Sequence, residues 1–242
     1  MIDLSRRSYQ KELMDRDDIP FADMAQTLKE LNIVNTRLGG HAITISGLTQ
    51  ILQPGKPLLV CEIGCGGGDN LFVIHKYCLK HKIDVHFIGI DINPECISFA
   101  KQQYPELPCE WICSDYAVVD FGSTKPGIIF SSLFCHHFTD EQLVFMLQWK
   151  QRNAVTGFFI NDLQRHRLAF YLIKYITRFF SRSYLVKHDA SLSVARSFRK
   201  EDWQRLFREA GLAAPEISWR WAFRYLVVFK KVEIDKNHNQ GN

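Results

Sequence analysis

The chain has 242 residues, of which 46% are hydrophobic and 23% are charged. This composition is typical of a globular protein and excludes a disordered chain, a collagen-like fibre and a coiled-coil rod. The formal net charge is only +4, which by itself predicts no nucleic-acid partner. The length allows one or two domains, and a single large α/β domain would use all of it.

The positive charge is concentrated in one part of the chain. Residues 163–187 carry six basic residues and no acidic residue, whereas residues 1–162 carry 14 basic and 19 acidic residues. The larger N-terminal part is therefore acidic, and a short basic segment follows it.

The sequence predicts a cytoplasmic protein. Its N-terminal residues lack the apolar core of a secretory signal, and no run of uncharged apolar residues is long enough to span a bilayer. The seven cysteines are an odd number and include no C-x-x-C pair. We therefore expect free thiols in a reducing compartment and no metal site.

Short apolar runs alternate with helical patterns through the middle of the chain. Strands are predicted over residues 58–63, 85–92, 108–113, 128–134 and 155–161, and helices over 71–79, 93–103 and 139–151. This alternation predicts a mainly parallel sheet whose strands are buried on both faces. A helix over 200–210 ends at Gly211, and strands over 216–222 and 224–230 then leave room only for a tight hairpin. At least one terminal strand must therefore be antiparallel.

Two segments lie outside this alternation. Residues 1–56 are expected to form an N-terminal helical cap, with a helix over 21–31 and a turn at Gly39 and Gly40. Residues 163–190 form an insertion after the fifth strand. We expect one α/β domain over 57–231 that contains this insertion, and a flexible tail over 232–242.

A glycine-rich loop, CEIGCGGGD at residues 61–69, joins the first strand to the following helix. Such a loop lets a ligand approach the backbone beside a helix N-terminus. A dinucleotide is the weaker candidate, because Asp69 replaces the third glycine of that fingerprint. Glu62 would also repel a pyrophosphate. S-adenosylmethionine carries an ammonium and a sulfonium, so it suits an acidic strand end.

Carboxylates also end the next two strands. Asp91 is placed to accept hydrogen bonds from two ribose hydroxyls, and Asp115 to bind the adenine amine while Tyr116 packs on the ring. Parallel strands bring such residues to one crevice. The candidate cofactor-binding residues are Glu62, Gly64, Gly66, Gly68, Asp91, Ile92, Asp115, Tyr116 and Ser132.

In these motifs the chain resembles the class I S-adenosylmethionine-dependent methyltransferases, and within them the small-molecule branch. Glu62, Gly64, Gly66 and Gly68 match E-x-G-x-G-x-G, and Asp91 and Asp115 match the two acidic positions that follow it. The resemblance implies a Rossmann-like, seven-stranded sheet with an antiparallel last strand and helices on both faces. It also implies S-adenosylmethionine as cofactor and S-adenosylhomocysteine as product.

The end of the fourth strand, SSLFCHHF at 131–138, faces the acceptor in that family. It lacks the Asx-Pro-Pro-aromatic and Pro-Cys motifs of nucleobase methyltransferases, so nucleic acid is not expected as a substrate. His136 and His137 are the candidate general bases, although either could instead only orient the loop. The candidate substrate-binding residues are Asp162, His166, Tyr171, His188 and Arg196.

Residues 165–182 predict a basic amphipathic helix with a wide apolar face. This helix could be an ordinary cap, a lid over an apolar acceptor, or a surface that contacts anionic lipid. The block 188–198 and the motif RLGGH at 37–41 resemble bacterial methyltransferases associated with polyketide synthases.

The expected function is O-methylation of a small apolar or phenolic acceptor. C-methylation of a quinone-type ring and a non-catalytic cofactor-binding or membrane-associated module are the alternatives. A nicotinamide oxidoreductase ranks below both, for the fingerprint reasons given above.

Overall fold

The computed structural model describes residues 3–16, 18–53 and 57–231. The tail expected at 232–242 lies outside the described residues. Seven strands form one sheet: β1 Leu58–Ile63, β2 Val85–Asp91, β3 Cys109–Cys113, β4 Ile128–Ser132, β5 Gly157–Leu163, β6 Glu216–Arg220 and β7 Arg224–Lys230. The helices are α1 Phe21–Arg37, α2 Gly40–Ile51, α3 Asp69–His81, α4 Pro94–Gln103, α5 Asp140–Asn153, α6 Arg167–Phe180, α7 Tyr184–Arg196 and α8 Lys200–Glu209.

The sheet has the strand order β3-β2-β1-β4-β5-β7-β6. The first five strands pair in parallel, and β7 is antiparallel to both of its neighbours, β5 and β6. The predicted seven-stranded, mostly parallel sheet with an antiparallel last strand is confirmed. The order in which strands are added to the sheet reverses between β1 and β4, so the carboxyl ends of these two parallel neighbours border a crevice.

Buried apolar residues lie on both faces of the sheet. One face packs against α5 and α8, with Trp203 and Phe207 fully covered. The other face packs against α2 and α3, with Leu48 and Leu71 fully covered. Continuous apolar strands are the sequence pattern that this two-sided burial requires.

The helix α2 was not expected from the sequence, which placed residues 1–56 in a cap. It lies directly on the sheet, because Gly47 has no side chain and admits the Phe159 ring: a Cβ there would lie 2.5 Å from the ring. Gly39, with φ +79°, precedes the helix in the left-handed region. The predicted cap segment 1–56 therefore includes a helix that packs directly on the sheet.

The insertion folds as two helices. The His166 side chain accepts a hydrogen bond from the Leu168 amide and caps the N-terminus of α6. The Ser183 side chain accepts a hydrogen bond from the Val186 amide and caps the N-terminus of α7. Most of the polar block 188–198 belongs to α7, which packs against α6 and α1. No helix of the described residues combines the length and apolar character that crossing a bilayer requires.

Candidate active site

The glycine loop lies at the carboxyl end of β1, beside the N-terminus of α3. Gly64 has φ +67° and Gly66 has φ +50°, a backbone conformation that favours glycine. A Cβ on Gly64 would lie 2.0 Å from the Phe134 ring, whereas a Cβ on Gly66 would meet nothing closer than Leu28 at 3.5 Å. The loop is therefore packed at its start and more open at its centre.

Asp91 ends β2 beside this loop. One of its oxygens accepts a hydrogen bond from the Gly66 amide at 2.8 Å, and the other accepts one from the Asn93 amide at 2.9 Å. Burial raises the pKa of Asp91, while these two hydrogen bonds and the charge of His137 act against the rise. Each carboxylate oxygen keeps a second acceptor position, as the binding of two ribose hydroxyls requires.

Glu62 lies beneath the loop and is 1% exposed. Its Oε1 accepts a hydrogen bond from Asn70 at 3.0 Å, but its Oε2 is buried without a hydrogen-bond partner. Burial raises the pKa of Glu62 well above its usual value, and the charge of Asp69 adds to the rise. A buried carboxylate of this kind is suited to an ammonium group, which would favour its charged form.

The adenine side differs from the expectation for Tyr116. That ring is buried in the core, edge-on to Phe134, Phe138 and Trp149, so it is not free to cover a ligand. Asp115 is exposed and accepts a hydrogen bond from the Ala117 amide at 2.9 Å. The exposed apolar side chains near the two strand ends are Ile92 and Val118, at 70% and 74% exposure.

These features fit S-adenosylmethionine. The open glycine loop, the paired acceptors of Asp91 and the buried free oxygen of Glu62 match the backbone approach, the ribose and the ammonium of that cofactor. The Ser132 hydroxyl at the end of β4 is also buried without a partner. Ile92 and Val118 offer apolar contact to a purine ring.

The histidines are placed by an unusual backbone turn after β4. Leu133 has φ +51°, a strained conformation for a branched side chain. It ends the strand two residues before the predicted end and starts a 3-10 turn at Cys135–His137. Both His136 and His137 consequently line a cavity of about 220 Å³.

His136 forms a buried pair with Asp162. The Nδ1 atom lies 2.8 Å from Asp162 Oδ1, which also accepts a hydrogen bond from the Leu163 amide at 2.7 Å. Burial acts to raise the pKa of Asp162, but the charge and hydrogen bond of His136 outweigh it and lower that pKa. An ionised Asp162 fixes the proton on Nδ1, so Nε2 is the nitrogen with the free lone pair.

His137 has a different carboxylate partner. Its Nδ1 lies 2.8 Å from Oδ1 of Asp15, in the segment before α1. Burial acts to lower the pKa of His137, but the pairing with Asp15 and the charge of Glu12 outweigh it and raise that pKa. His137 is therefore the more readily protonated partner in an ion pair and a poorer general base.

Glu12 completes a cluster of charged groups at the cavity. It is 2% exposed, and its Oε1 lies 3.7 Å from His136 Nε2 and 3.5 Å from Arg196 Nε. Atoms of Glu12, His136 and His137 lie within 4.8 Å of one another, close enough to hold a metal ion. The guanidinium beside Glu12 already supplies positive charge, so we interpret the cluster as an ion pair and keep the prediction of a metal-free reaction.

The remaining cavity wall is mainly apolar. Leu31 and Val34 of α1, Leu38 directly after it and Ile173 of α6 line the cavity, and the buried Arg224 lines it as well. Burial lowers the pKa of Arg224 to about 10. Its guanidinium donates to the side-chain oxygen of Asn35 at 2.9 Å.

Several sequence candidates lie away from the cavity. His166 is exposed and stacks on Phe223, and Tyr171 lies on the outer face of α6. His188 is exposed and pairs with Asp189. None of the three lines the cavity of the described residues.

Two further candidates act behind the cavity. Asp162 is fully buried and contacts His136 instead of an acceptor. Arg196 donates hydrogen bonds to the backbone oxygens of Gln10, His136 and His137. It therefore holds the histidine turn against the N-terminal segment.

Known proteins that resemble this chain are methyltransferases. Residues 60–153 match a family model described as a methyltransferase domain. Over 101 residues the chain is 30% identical to phosphoethanolamine N-methyltransferase 1 of Arabidopsis thaliana, covering 41% of this chain and 19% of that protein. The chain thus spans about a fifth of the length of this curated relative.

Solved structures show the same fold at low identity. A methyltransferase from Aquifex aeolicus, described as dependent on S-adenosylmethionine, superposes with a TM-score of 0.62 at 14% identity, covering 86% of this chain and 98% of that one. An O-methyltransferase family 2 protein from Planctomyces limnophilus, in complex with apigenin, has a TM-score of 0.57 at 13% identity, covering 86% and 62%. Other similar structures contain bound S-adenosylmethionine or S-adenosylhomocysteine. Residues 60–153 therefore match a methyltransferase-domain model, and the chain has the fold of solved methyltransferases that are described as dependent on S-adenosylmethionine.

Proposed function

We propose that this protein transfers a methyl group from S-adenosylmethionine to a hydroxyl of a small apolar or phenolic acceptor. The observation that carries the proposal is the buried Asp162–His136 pair, which opens on a mainly apolar cavity near the glycine loop. A base oriented by a carboxylate is of use when the acceptor must lose a proton.

The residues around the loop would bind and orient the cofactor. Asp91 would hold the ribose, Glu62 would face the ammonium, and Ile92 would contact the purine. When bound, S-adenosylmethionine supplies an activated methyl group on its sulfonium. The chain itself has little covalent chemistry to perform, and alignment of the acceptor accounts for much of the rate.

His136 would act on the acceptor hydroxyl. Asp162 keeps the proton of His136 on Nδ1, so Nε2 can accept the hydroxyl proton as the oxygen–carbon bond forms. The buried Asp162 then stabilises the imidazolium that results. His137 is already held in its ion pair with Asp15, and its role is to position the turn.

The cavity supports a small, mainly apolar acceptor. Its volume of about 220 Å³ lies below the usual range for drug-sized ligands. The apigenin complex of a structural neighbour supports a phenolic acceptor. Another neighbour is the C-methyltransferase domain of the citrinin polyketide synthase, which supports ring carbon as the alternative methylated atom and a polyketide-derived acceptor.

The test is a transfer assay with methyl-labelled S-adenosylmethionine over phenols, quinone precursors and fatty acids. We expect labelled phenol ethers, identified by NMR, and equal turnover with and without a chelator. Methyl on ring carbon would establish the alternative reaction. Absence of turnover across all three classes, with the cofactor bound, would indicate a non-catalytic module, and loss of turnover on chelation would make the Glu12 cluster a metal site.

A further inference from the structure

The outer face of α6 is apolar and exposed, although it belongs to a folded domain. Leu168, Tyr171, Leu172, Tyr175, Phe179 and Phe180 are between 38% and 83% exposed. The first five recur at helical spacing on one side, while Ala169, Phe170, Ile173 and Thr177 are turned towards the protein. The helix thus has two apolar faces, and only one of them is covered in the described chain.

Basic side chains flank the exposed stripe. Arg167, Lys174 and Arg178 recur seven and four residues apart along one edge, and Arg182 follows the helix; all four are exposed. Within the described residues none of the four forms an ion pair. Glu30 reaches this end of α6, but it accepts hydrogen bonds from Ser181 and from the amides of Arg182 and Ser183. The stripe therefore has uncompensated positive charge beside it.

The same face borders the mouth of the cavity. Leu172 and Ile176 line the cavity and are also 44% and 43% exposed. Trp221 also lines the cavity and is 65% exposed. Apolar side chains of α6 therefore belong both to the cavity wall and to the outer surface.

We propose that α6 lies on the surface of an anionic lipid bilayer, with its apolar stripe in the interface and its basic row at the headgroups. Aromatic side chains are suited to this depth, and basic side chains add attraction to anionic lipid. The acceptor is then a membrane-dissolved amphiphile whose reactive ring enters the cavity while its tail stays in the bilayer. This last step rests on the proposed function, whereas the docking itself does not.

The charges favour lipid over a second copy of the chain. A two-fold contact through this face would bring together two basic rows, and residues 163–187 offer no carboxylate to balance them. An anionic bilayer offers compensating charge along the whole helix.

Vesicle flotation tests the docking. We expect the full chain to float with phosphatidylglycerol/phosphatidylcholine vesicles, to stay in solution with phosphatidylcholine alone, and to be released by 0.5 M salt, roughly a Debye length of 4 Å. The double variant F179S/F180S should weaken partition by about tenfold or more, and R178Q/R182Q should weaken it on anionic vesicles. The matched controls are L79S and K76Q/K80Q on α3, whose exposed side chains lie away from the cavity.

Two results would overturn the docking: equal partition of wild type and F179S/F180S, or a dimer in sedimentation velocity that F179S/F180S dissociates. Cofactor binding by calorimetry provides the separate readout, since failure there removes the proposed function and leaves the docking intact.

Transfer to 4-nonylphenol in anionic vesicles should fall in F179S/F180S while transfer to soluble phenol does not. A parallel loss on both acceptors would overturn the membrane-borne acceptor.

Discussion

At the scale of single residues, two neighbouring histidines have different environments. His136 Nδ1 is held by a fully buried carboxylate, while His137 pairs with a carboxylate of the N-terminal segment. In the proposed function, this difference makes His136 the base and His137 a positioning residue. The sequence alone could not make this distinction, because Asp15 and Glu12 lie more than a hundred residues away in the chain and match no motif.

Substituting Asp162 should remove the orientation of the base. In D162N the amide no longer fixes the proton on His136 Nδ1, and H136Q removes the acceptor nitrogen. We expect either change to lower kcat by about 10²–10⁴-fold while the Kd for S-adenosylmethionine stays within about twofold. H86Q, an exposed histidine on β2, is the control. Unchanged kcat in H136Q would show that transfer proceeds by alignment alone.

The His137–Asp15 pair should make stability depend on pH. Since the folded pKa of His137 is raised, its stabilising contribution is complete below about pH 6.5 and is lost as pH rises through the raised value. Asp15, Glu12, Arg196, Asp91 and Asp162 are the charged groups that interact with this imidazole among the described residues. The free energy of unfolding of wild type minus that of H137Q should therefore be larger at pH 6 than at pH 9. A difference that stays constant from pH 6 to pH 9 would contradict a stabilising ion pair between His137 and Asp15.

At the scale of elements, the segment before α1 acts as a strap across the site. Arg7 donates to the backbone oxygens of Phe138 and Arg196. Asp189 of α7 accepts hydrogen bonds from the amides of Leu13 and Met14 at 2.9 and 3.0 Å. These contacts place Glu12 and Asp15 against the histidines, so a segment without a recognisable motif supplies two of the charged groups.

Releasing the strap should affect the acceptor side selectively. We expect D189A to lower the free energy of unfolding by about 1–3 kcal/mol, because two partly buried amides lose a charged acceptor. The kcat/KM for the acceptor should fall by about tenfold or more, and cofactor affinity should change little. D18A, an exposed carboxylate that pairs only with nearby Arg16 among the described residues, is the control. If the affinity for S-adenosylmethionine fell as much as kcat/KM for the acceptor, the strap would support the cofactor site and not the acceptor site alone.

The sequence predicted the elements of the sheet well and the elements that cover it poorly. Apolar runs with turn signals mark each strand, and the Thr139 cap marks α5 as predicted. The sequences of α2 and α7 show no clear helical period of apolar residues. The reason is that α2 contacts both the sheet and the crevice, and α7 is covered on several sides. Strand ends shifted where the local backbone decided them, as at Leu133 after β4.

The site was predicted in the same uneven way. The glycine loop and Asp91 are local in sequence, so their positions at two strand ends could be inferred. Tyr116, Tyr171 and His188 are predicted at the site only because they lie close in sequence to its motifs. The packing of the core and of α6 and α7 directs their side chains away from the predicted positions. Arg224 and Glu12 meet the site only through the fold.

At the scale of the whole molecule, the acidic and the basic parts of the chain have different proposed roles. The acidic part of the chain holds Glu62 and Asp91, which are proposed to bind the cofactor, and the basic segment 163–187 supplies part of the cavity wall. A cationic cofactor and an anionic surface would then approach different sides of one fold.

Calorimetric titration with S-adenosylmethionine tests the central claim, that Asp91 and the glycine loop form the cofactor site. We predict one-to-one binding by wild type and by D84A, an exposed carboxylate before β2. In D91A the loss of charge-assisted hydrogen bonds to the ribose should weaken binding by about tenfold or more. Absence of binding to wild type, or equal affinity in D91A, would contradict the account.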